Sequence, residues 1–237
     1  MAEGGFDFKK FIDDSKAVLM APKEYFSSMP TSGGFVEPLI KAVIYGTIAG
    51  VITLIWSMLH LTAAAGVLGG AIGGGVGVMA LIGSIIGAII GLFIGGVILL
   101  IVSAICGGNT NYEANVRVTA ALMVLSPVNA LLSFTSGINL WLGGIISLAV
   151  SLYGLYLLYH AIVAALKGKE GTAKVITIVL AALVGLILVS TLTCYKAAST
   201  IGDKYQADTE KYLKQNEETL KDFNKMMEEL KKQQENK

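Results

Sequence analysis

MALIGSIIGAIIGLFIGGVILLIVSAIC (residues 79–106) decides the architecture of this chain. It carries no charge and exceeds the roughly 20 apolar residues needed to cross a ~30 Å hydrocarbon core. Gly83, Gly87, Gly91 and Gly95 recur at every fourth residue, so on a helix they fall near one face. Without Cβ atoms there, a second helix can approach backbone to backbone, and such packing is a main source of helix association in lipid. The pattern predicts an all-α, polytopic transmembrane helical bundle with these four glycines as helix-packing positions. The preceding run, 66–77, repeats the spacing with Gly69, Gly73 and Gly77. Residues 67–78 are apolar yet too rich in glycine for a regular helix. They read as a loop, a re-entrant segment or part of an extra crossing.

Working outward, the composition agrees. Of 237 residues, 54% are hydrophobic and only 15% charged, with a mean hydropathy of +0.68, which excludes an ordinary soluble domain. Asp, Glu, Lys and Arg are absent between Lys41 and Glu113, from 118 to 166 and from 175 to 195. These tracts resolve into five spans, at 38–61, 79–106, 114–132, 140–166 and 175–195. Trp56, His60 and Trp141, with Tyr153, Tyr156, Tyr159 and His160, are placed where interfacial residues are expected. Pro127 predicts a kink in the third span, and Asn129 is expected to face the bundle interior. The net charge of +1 argues against a nucleic-acid partner. Cys106 and Cys194 show no metal-ligand spacing and read as small apolar residues.

Two polar segments flank the 38–195 membrane domain. Segment 1–37 lacks the early apolar core of a cleavable signal. Its residues 7–20 read as an amphipathic helix with Phe8, Phe11, Ile12, Ser15 and Leu19 on one face. Such a helix rests in the headgroup layer or packs on the loops of the bundle. Segment 196–237 is a polar, helix-favouring tail. Its Leu213, Asn216, Leu220, Phe223, Met227 and Leu230 follow a short coiled-coil pattern, and a solvated single helix is the alternative.

Five spans with the N-terminus inside put Lys9, Lys10, Lys16, Lys23, Lys41, Arg117, Lys167, Lys169 and Lys174 on the cytoplasmic side. Lys196, Lys204, Lys211 and Lys214 then lie outside near the membrane. A sixth crossing through 67–78 gives the same ratio, so charge alone does not choose. Lys41 is expected to snorkel to the interface.

The order of several stretches resembles the Yip family of five-span membrane proteins, first known as interactors of Rab-type GTPases. The similarity runs over roughly 15–190. Its carriers are PKEYFSSMP (22–30), FVEPLIKAVIYG (35–46), GGNTNYEANVRVTAALMVLSP (107–127) and YGLYLLYHAIVAAL (153–166). The resemblance implies five spans and a cytosolic N-terminus, and it singles out Glu37 in the acidic-then-proline entry to the first span. A short N-terminal segment and an added charged tail are similar to the prokaryotic branch. That implies a cytoplasmic (inner) membrane, an extracytoplasmic tail and no Rab-type partner.

No catalytic signature accompanies these features. The expected spans hold no Asp or Glu, and His60 and His160 are far apart in sequence. This argues against intramembrane hydrolysis and metal chemistry, and no cofactor is expected. The reading is a non-enzymatic membrane scaffold or adaptor, whose partners are the lipid bilayer and other membrane proteins or a second copy. The alternative is a glycine-seam oligomeric channel or a lipid or small-solute transporter. Glu37, Asn111, Glu113, Asn115 and Arg117 are the candidate partner-binding or structural polar residues. Glu113 and Arg117, four apart, are spaced to pair on one helix face.

Overall fold

A computed structural model describes residues 7–59, 61, 75–191, 193, 194, 212 and 216, with only the backbone for 75–80. His60, most of the glycine-rich run before residue 75 and nearly all of the tail lie outside the described residues. The expectations for an extra crossing and for a C-terminal coiled coil fall there. The chain divides into two compact units, Met1–Leu188 and Val189–Lys237. Cys194 and Tyr212, in the second unit, are exposed.

The described residues form helices and no strand. α1 (Phe8–Met20) starts at Asp7, whose carboxylate accepts from the Lys10 amide at 3.0 Å. Ala21 interrupts the helical path, and Pro22 opens α2 (Pro22–Ser28), where its missing N–H costs nothing. After Pro30 and the left-handed Gly33 and Gly34, α3 (Val36–Met58) begins the bundle. α4 (Gly75–Ile105) is the long glycine-rich helix, ending at Gly107 with φ +66°, where a Cβ would be strained.

The third crossing is built from α5 (Tyr112–Leu122), α6 (Leu125–Leu132) and α7 (Thr135–Ile138). The expected proline kink is a full break, displaced one turn toward the N-terminus. Pro127 has no N–H to offer the Met123 carbonyl, which instead accepts from the Ser126 amide at 2.9 Å. Asn129 is exposed rather than turned inward, for α6 buries none of its side chains. Asn139 caps α8 (Leu140–His160). This helix runs into a π turn, Ala161–Ala165, and α9 (Glu170–Thr191) completes the bundle.

Among the described residues, five segments are long and apolar enough to cross a membrane: Val36–Met58, Leu81–Ile105, Tyr112–Ile138, Leu140–Ala165 and Glu170–Thr191. Their outward faces are apolar. On α4, Ile82, Ile86, Ile90, Ile94 and Ile98 form one exposed ridge, the surface expected against lipid tails.

Glycine brings helices together at positions other than most of the seam. A Cβ on Gly46 of α3 would come within 2.6 Å of the Ala88 Cβ on α4, and one on Gly96 within 2.5 Å of Val116 on α5. The Ser84 hydroxyl donates to the Gly46 carbonyl across the first contact, at 3.0 Å. Of the seam, Gly95 meets Thr119, while a Cβ on Gly83, Gly87 or Gly91 would meet none of the described atoms within 4 Å.

The fully buried side chains gather at the end that carries α1 and α2. Phe26, Leu99, Val118, Leu157, Ile162 and Leu166 form the centre of this core. α1 settles against it, burying Phe11 and Val18 and leaving Phe8 and Met20 exposed. The packed alternative for the amphipathic helix therefore describes the structure.

Gly46→Leu is expected to destabilise the fold by about 1–3 kcal/mol through overpacking. Gly87→Leu should stay within about 0.5 kcal/mol, because its Cβ position is open. Unfolding of both variants in detergent micelles, under conditions that keep the protein monomeric, measures the difference.

Candidate functional site

The site is built from the loop between α2 and α3. In the sequence this loop is a helix breaker, with Pro30 followed by Gly33 and Gly34. In the structure it wraps a guanidinium. Arg117, on α5, donates from Nε to the Pro30 carbonyl at 2.9 Å and from Nη1 to the Gly34 carbonyl at 3.0 Å. Its Nη2 pairs with Glu37 Oε2 at 2.5 Å. One turn earlier on α5, Glu113 Oε1 accepts from the Gly34 amide, also at 2.5 Å. Glu113 and Arg117 therefore share the expected face, but each uses it to hold Gly34, and the ion partner of Arg117 is Glu37.

Gly33 allows this closeness. Its φ is +127°, and a Cβ there would lie 3.3 Å from Arg117 Nη1. A side chain would be strained by the backbone and crowded by the guanidinium.

Glu37 has a second partner. Its Oε1 lies 3.0 Å from Lys41 Nζ, one turn along α3, and Lys41 also pairs with Asp14 of α1 at 3.1 Å. Arg117 and Lys41 are almost fully enclosed, with side-chain exposures of 5% and 10%. Lys41 does not snorkel outward, because Asp14 and Glu37 supply its counter-charge inside. Nearby, Ser15 and Tyr45 share a hydroxyl–hydroxyl hydrogen bond of 2.7 Å, and the Phe11 ring lies on Tyr45 with centroids 5.0 Å apart. These contacts fasten α1 to α3. Further along α1, the Tyr153 hydroxyl of α8 donates to the Leu19 carbonyl.

A cleft of about 220 Å³ opens beside the network, lined by Lys10, Asp14, Tyr25, Glu37, Lys41 and Arg117. Burial pushes the Tyr25 phenol up to about 12, although the Lys41 charge pulls the other way. Arg117 and Lys41 are already paired with carboxylates, and among the described residues of the cleft none stands as a nucleophile beside a base. The geometry is that of a clamp, joining α1, the 29–35 loop, α3 and α5.

Asn111 and Asn115 serve a second junction. Asn111 caps α5 by accepting from the Ala114 amide at 3.3 Å. Asn115, fully buried, donates through Nδ2 to the carbonyls of Asn109 and Asn111 at 3.0 and 2.8 Å. The Asn109 amide reaches the Leu166 carbonyl at 2.7 Å, and the Lys169 amide the Cys106 carbonyl at 2.8 Å. The polar turn after α4 is thereby stitched to the turn between α8 and α9. His160 packs its ring edgewise against Tyr156 and Tyr159, at 4.6 and 5.3 Å. Among the described residues, no group of three His, Cys, Asp or Glu side chains is placed to hold a metal ion.

Glu37, Glu113 and Arg117 thus meet around one loop, while Asn111 and Asn115 hold the neighbouring turn. Asp14, Tyr25 and Lys41 belong to the same cluster and are not among the site residues expected from sequence. The four-residue step from Glu37 to Lys41 was the available signal. The role of Gly33 and Gly34 had none beyond a chain break.

The family model described as the Yip1 domain matches residues 16–192, and the chain belongs to this family. No curated protein and no solved structure matches it.

Removing the guanidinium leaves the Pro30 and Gly34 carbonyls without their donor, and half-buried Glu37 with Lys41 as its remaining partner. Arg117→Ala is expected to cost about 1–3 kcal/mol, the penalty of loop carbonyls left without a donor, and Arg117→Lys to recover only part, since an ammonium lacks the planar fork. Thermal unfolding in detergent tests both. Tyr25 supplies a pH test. Its phenol holds its proton to about 12 when folded, against 10.0 ordinarily. The unfolded chain therefore releases that proton first, and its contribution to stability, complete below pH 10, is lost as pH rises toward 12. Tyr25→Phe should flatten that part of the pH–stability curve.

Proposed function

We propose that this Yip1-domain membrane protein is a non-enzymatic scaffold or adaptor, which presents the clamped end of its bundle to other membrane proteins. The observation that carries the reading is the use of its charged groups. Arg117, Glu37, Lys41 and Asp14 are spent on fixing α1 and the 29–35 loop against the bundle, which leaves a rigid polar face rather than a reaction centre. Glu37, Asn111, Glu113, Asn115 and Arg117 shape that face. In this reading the segments are 1–37, a cytoplasmic N-terminal segment, 38–195, the five-span domain, and 196–237, an extracytoplasmic tail. The membrane is the cytoplasmic membrane of a prokaryote, and a Rab-type GTPase is not the partner.

The open glycine face of α4 favours a second reading, an oligomeric channel or transporter. A Cβ on Gly83, Gly87 or Gly91 would meet none of the described atoms within 4 Å, and these glycines lie beside the exposed isoleucine ridge. A ridge of one copy in the glycine groove of another is a common membrane packing mode.

Purified protein in liposomes separates the two. The scaffold predicts no ion flux, together with a changed set of cross-linked partners in folded Glu37→Gln. Flux that Gly87→Leu abolishes would establish the channel instead, and an unchanged partner set with unchanged stability would remove Glu37 from the site.

A further inference from the structure

A second cleft, of about 400 Å³, lies between α8 and α9 and shares no lining residue with the cleft beside Arg117. Its volume is in the range of small-molecule sites, ~300–1,000 Å³. Leu152, Leu155, Ile178 and Ala181 line its inner part, with Glu170 and Lys174 at the mouth. Both helices here cross the membrane. Leu152 and Ile178 are respectively 43% and 60% exposed, so the cleft opens sideways at the level of the lipid.

Its polarity is graded along the membrane axis. Glu170, the first residue of α9, accepts from the Tyr159 hydroxyl at 3.0 Å. Lys174 follows one turn deeper, about 6 Å along the axis. Thr177 and then Ile178 and Ala181 continue into the apolar part. Lys174 is exposed and has no ion pair within 4.0 Å among the described residues, Glu170 included. Lys169 is used elsewhere, its stem lying over Gly107. The mouth therefore offers an outer anion, an inner cation one turn below it, and an apolar slot beneath both.

We propose that this cleft binds one phospholipid with a phosphoethanolamine headgroup, drawn from the leaflet on the α1–α2 side. The order of charge in that headgroup is the complement of the mouth. Its ammonium lies outermost, at Glu170, and its phosphate deeper, at Lys174, with an acyl chain along Leu155 and Ile178. An ethanolamine ammonium donates hydrogen bonds to a carboxylate, which a choline cannot do. A headgroup with a net negative charge meets the Glu170 carboxylate unfavourably. An apolar helix in the same slot would leave the Lys174 ammonium unpaired at the edge of hydrocarbon, at a cost a phosphate removes.

Nanodiscs holding equal parts of phosphatidylethanolamine, phosphatidylcholine and phosphatidylglycerol, followed by native mass spectrometry of the released protein, test this. The expected result is one retained phosphatidylethanolamine, enriched about fivefold over each competitor, the size of one ion pair near a surface. Glu170→Gln keeps the acceptor for Tyr159 and should abolish the preference over phosphatidylcholine. Lys174→Gln should lose the adduct, and Ala181→Phe should block it for every headgroup, with unchanged melting showing that the variants are folded. Retained lipids that mirror the mixture in all variants would overturn the site, as annular lipid only. Enrichment of phosphatidylglycerol would overturn the headgroup assignment.

Discussion

The buried guanidinium of Arg117 is the constraint on which the polar end of the bundle depends. A charge that is almost fully enclosed in a membrane protein must be paired and hydrogen-bonded, or its desolvation outweighs everything nearby. Here Glu37 supplies the charge, and the carbonyls of Pro30 and Gly34 accept the remaining donors. Those carbonyls are in place only if the 29–35 loop turns back over α5. That path requires the left-handed conformations of Gly33 and Gly34. Once the loop is fixed, α2 and α1 must lie across the bundle, where Asp14 reaches Lys41 and Phe11 meets Tyr45.

The apolar part follows a different rule. In lipid there is no hydrophobic gain from joining two helices, so shape decides which faces meet. α3 and α4 meet where Gly46 and Gly50 face Ala88 and Ser84, and α4 meets α5 where Gly95 and Gly96 face Thr119 and Val116. The first contact is small on both sides, whereas in the second the glycines admit β-branched Thr119 and Val116. The isoleucine ridge of α4 and the apolar faces of α9 are left to the acyl chains.

The helical class and the five crossings were legible because they rest on long uncharged tracts, which backbone hydrogen bonding in hydrocarbon forces into helices. Span edges moved by a few residues where caps decide them. Asn111 starts a helix that hydropathy alone does not bound, and α9 begins at Glu170, inside a basic loop by composition. The Glu113–Arg117 spacing correctly indicated a shared face. It could not reveal that the face is aimed at a backbone segment about 80 residues earlier, because that contact is made of carbonyls and an amide that every sequence has. Lys41 misled for a related reason, since snorkelling and internal pairing look alike until Asp14 is placed beside it. The glycine periodicity identified α4 as a packing helix, but not which of its glycines touch a neighbour within the chain.

The attachment of α1 also has a consequence for the order in which the molecule is made. Its Leu19 carbonyl is met by the Tyr153 hydroxyl, 134 residues later, and the Pro30 carbonyl by Arg117, 87 residues later. At synthesis rates of about 5–20 residues per second, Tyr153 arrives roughly 7 to 27 seconds after Leu19. During that interval α1 has its partners on α3 but not the one on α8, and the membrane surface is a natural support for the rest of its apolar face. The first span is not left with a lone charge meanwhile. Glu37 and Lys41, one turn apart on α3, neutralise each other locally, so the helix can enter the bilayer before Arg117 exists. The same carboxylate later takes the guanidinium as well, and biosynthesis ends with α1 folded down over a bundle that was assembled beneath it.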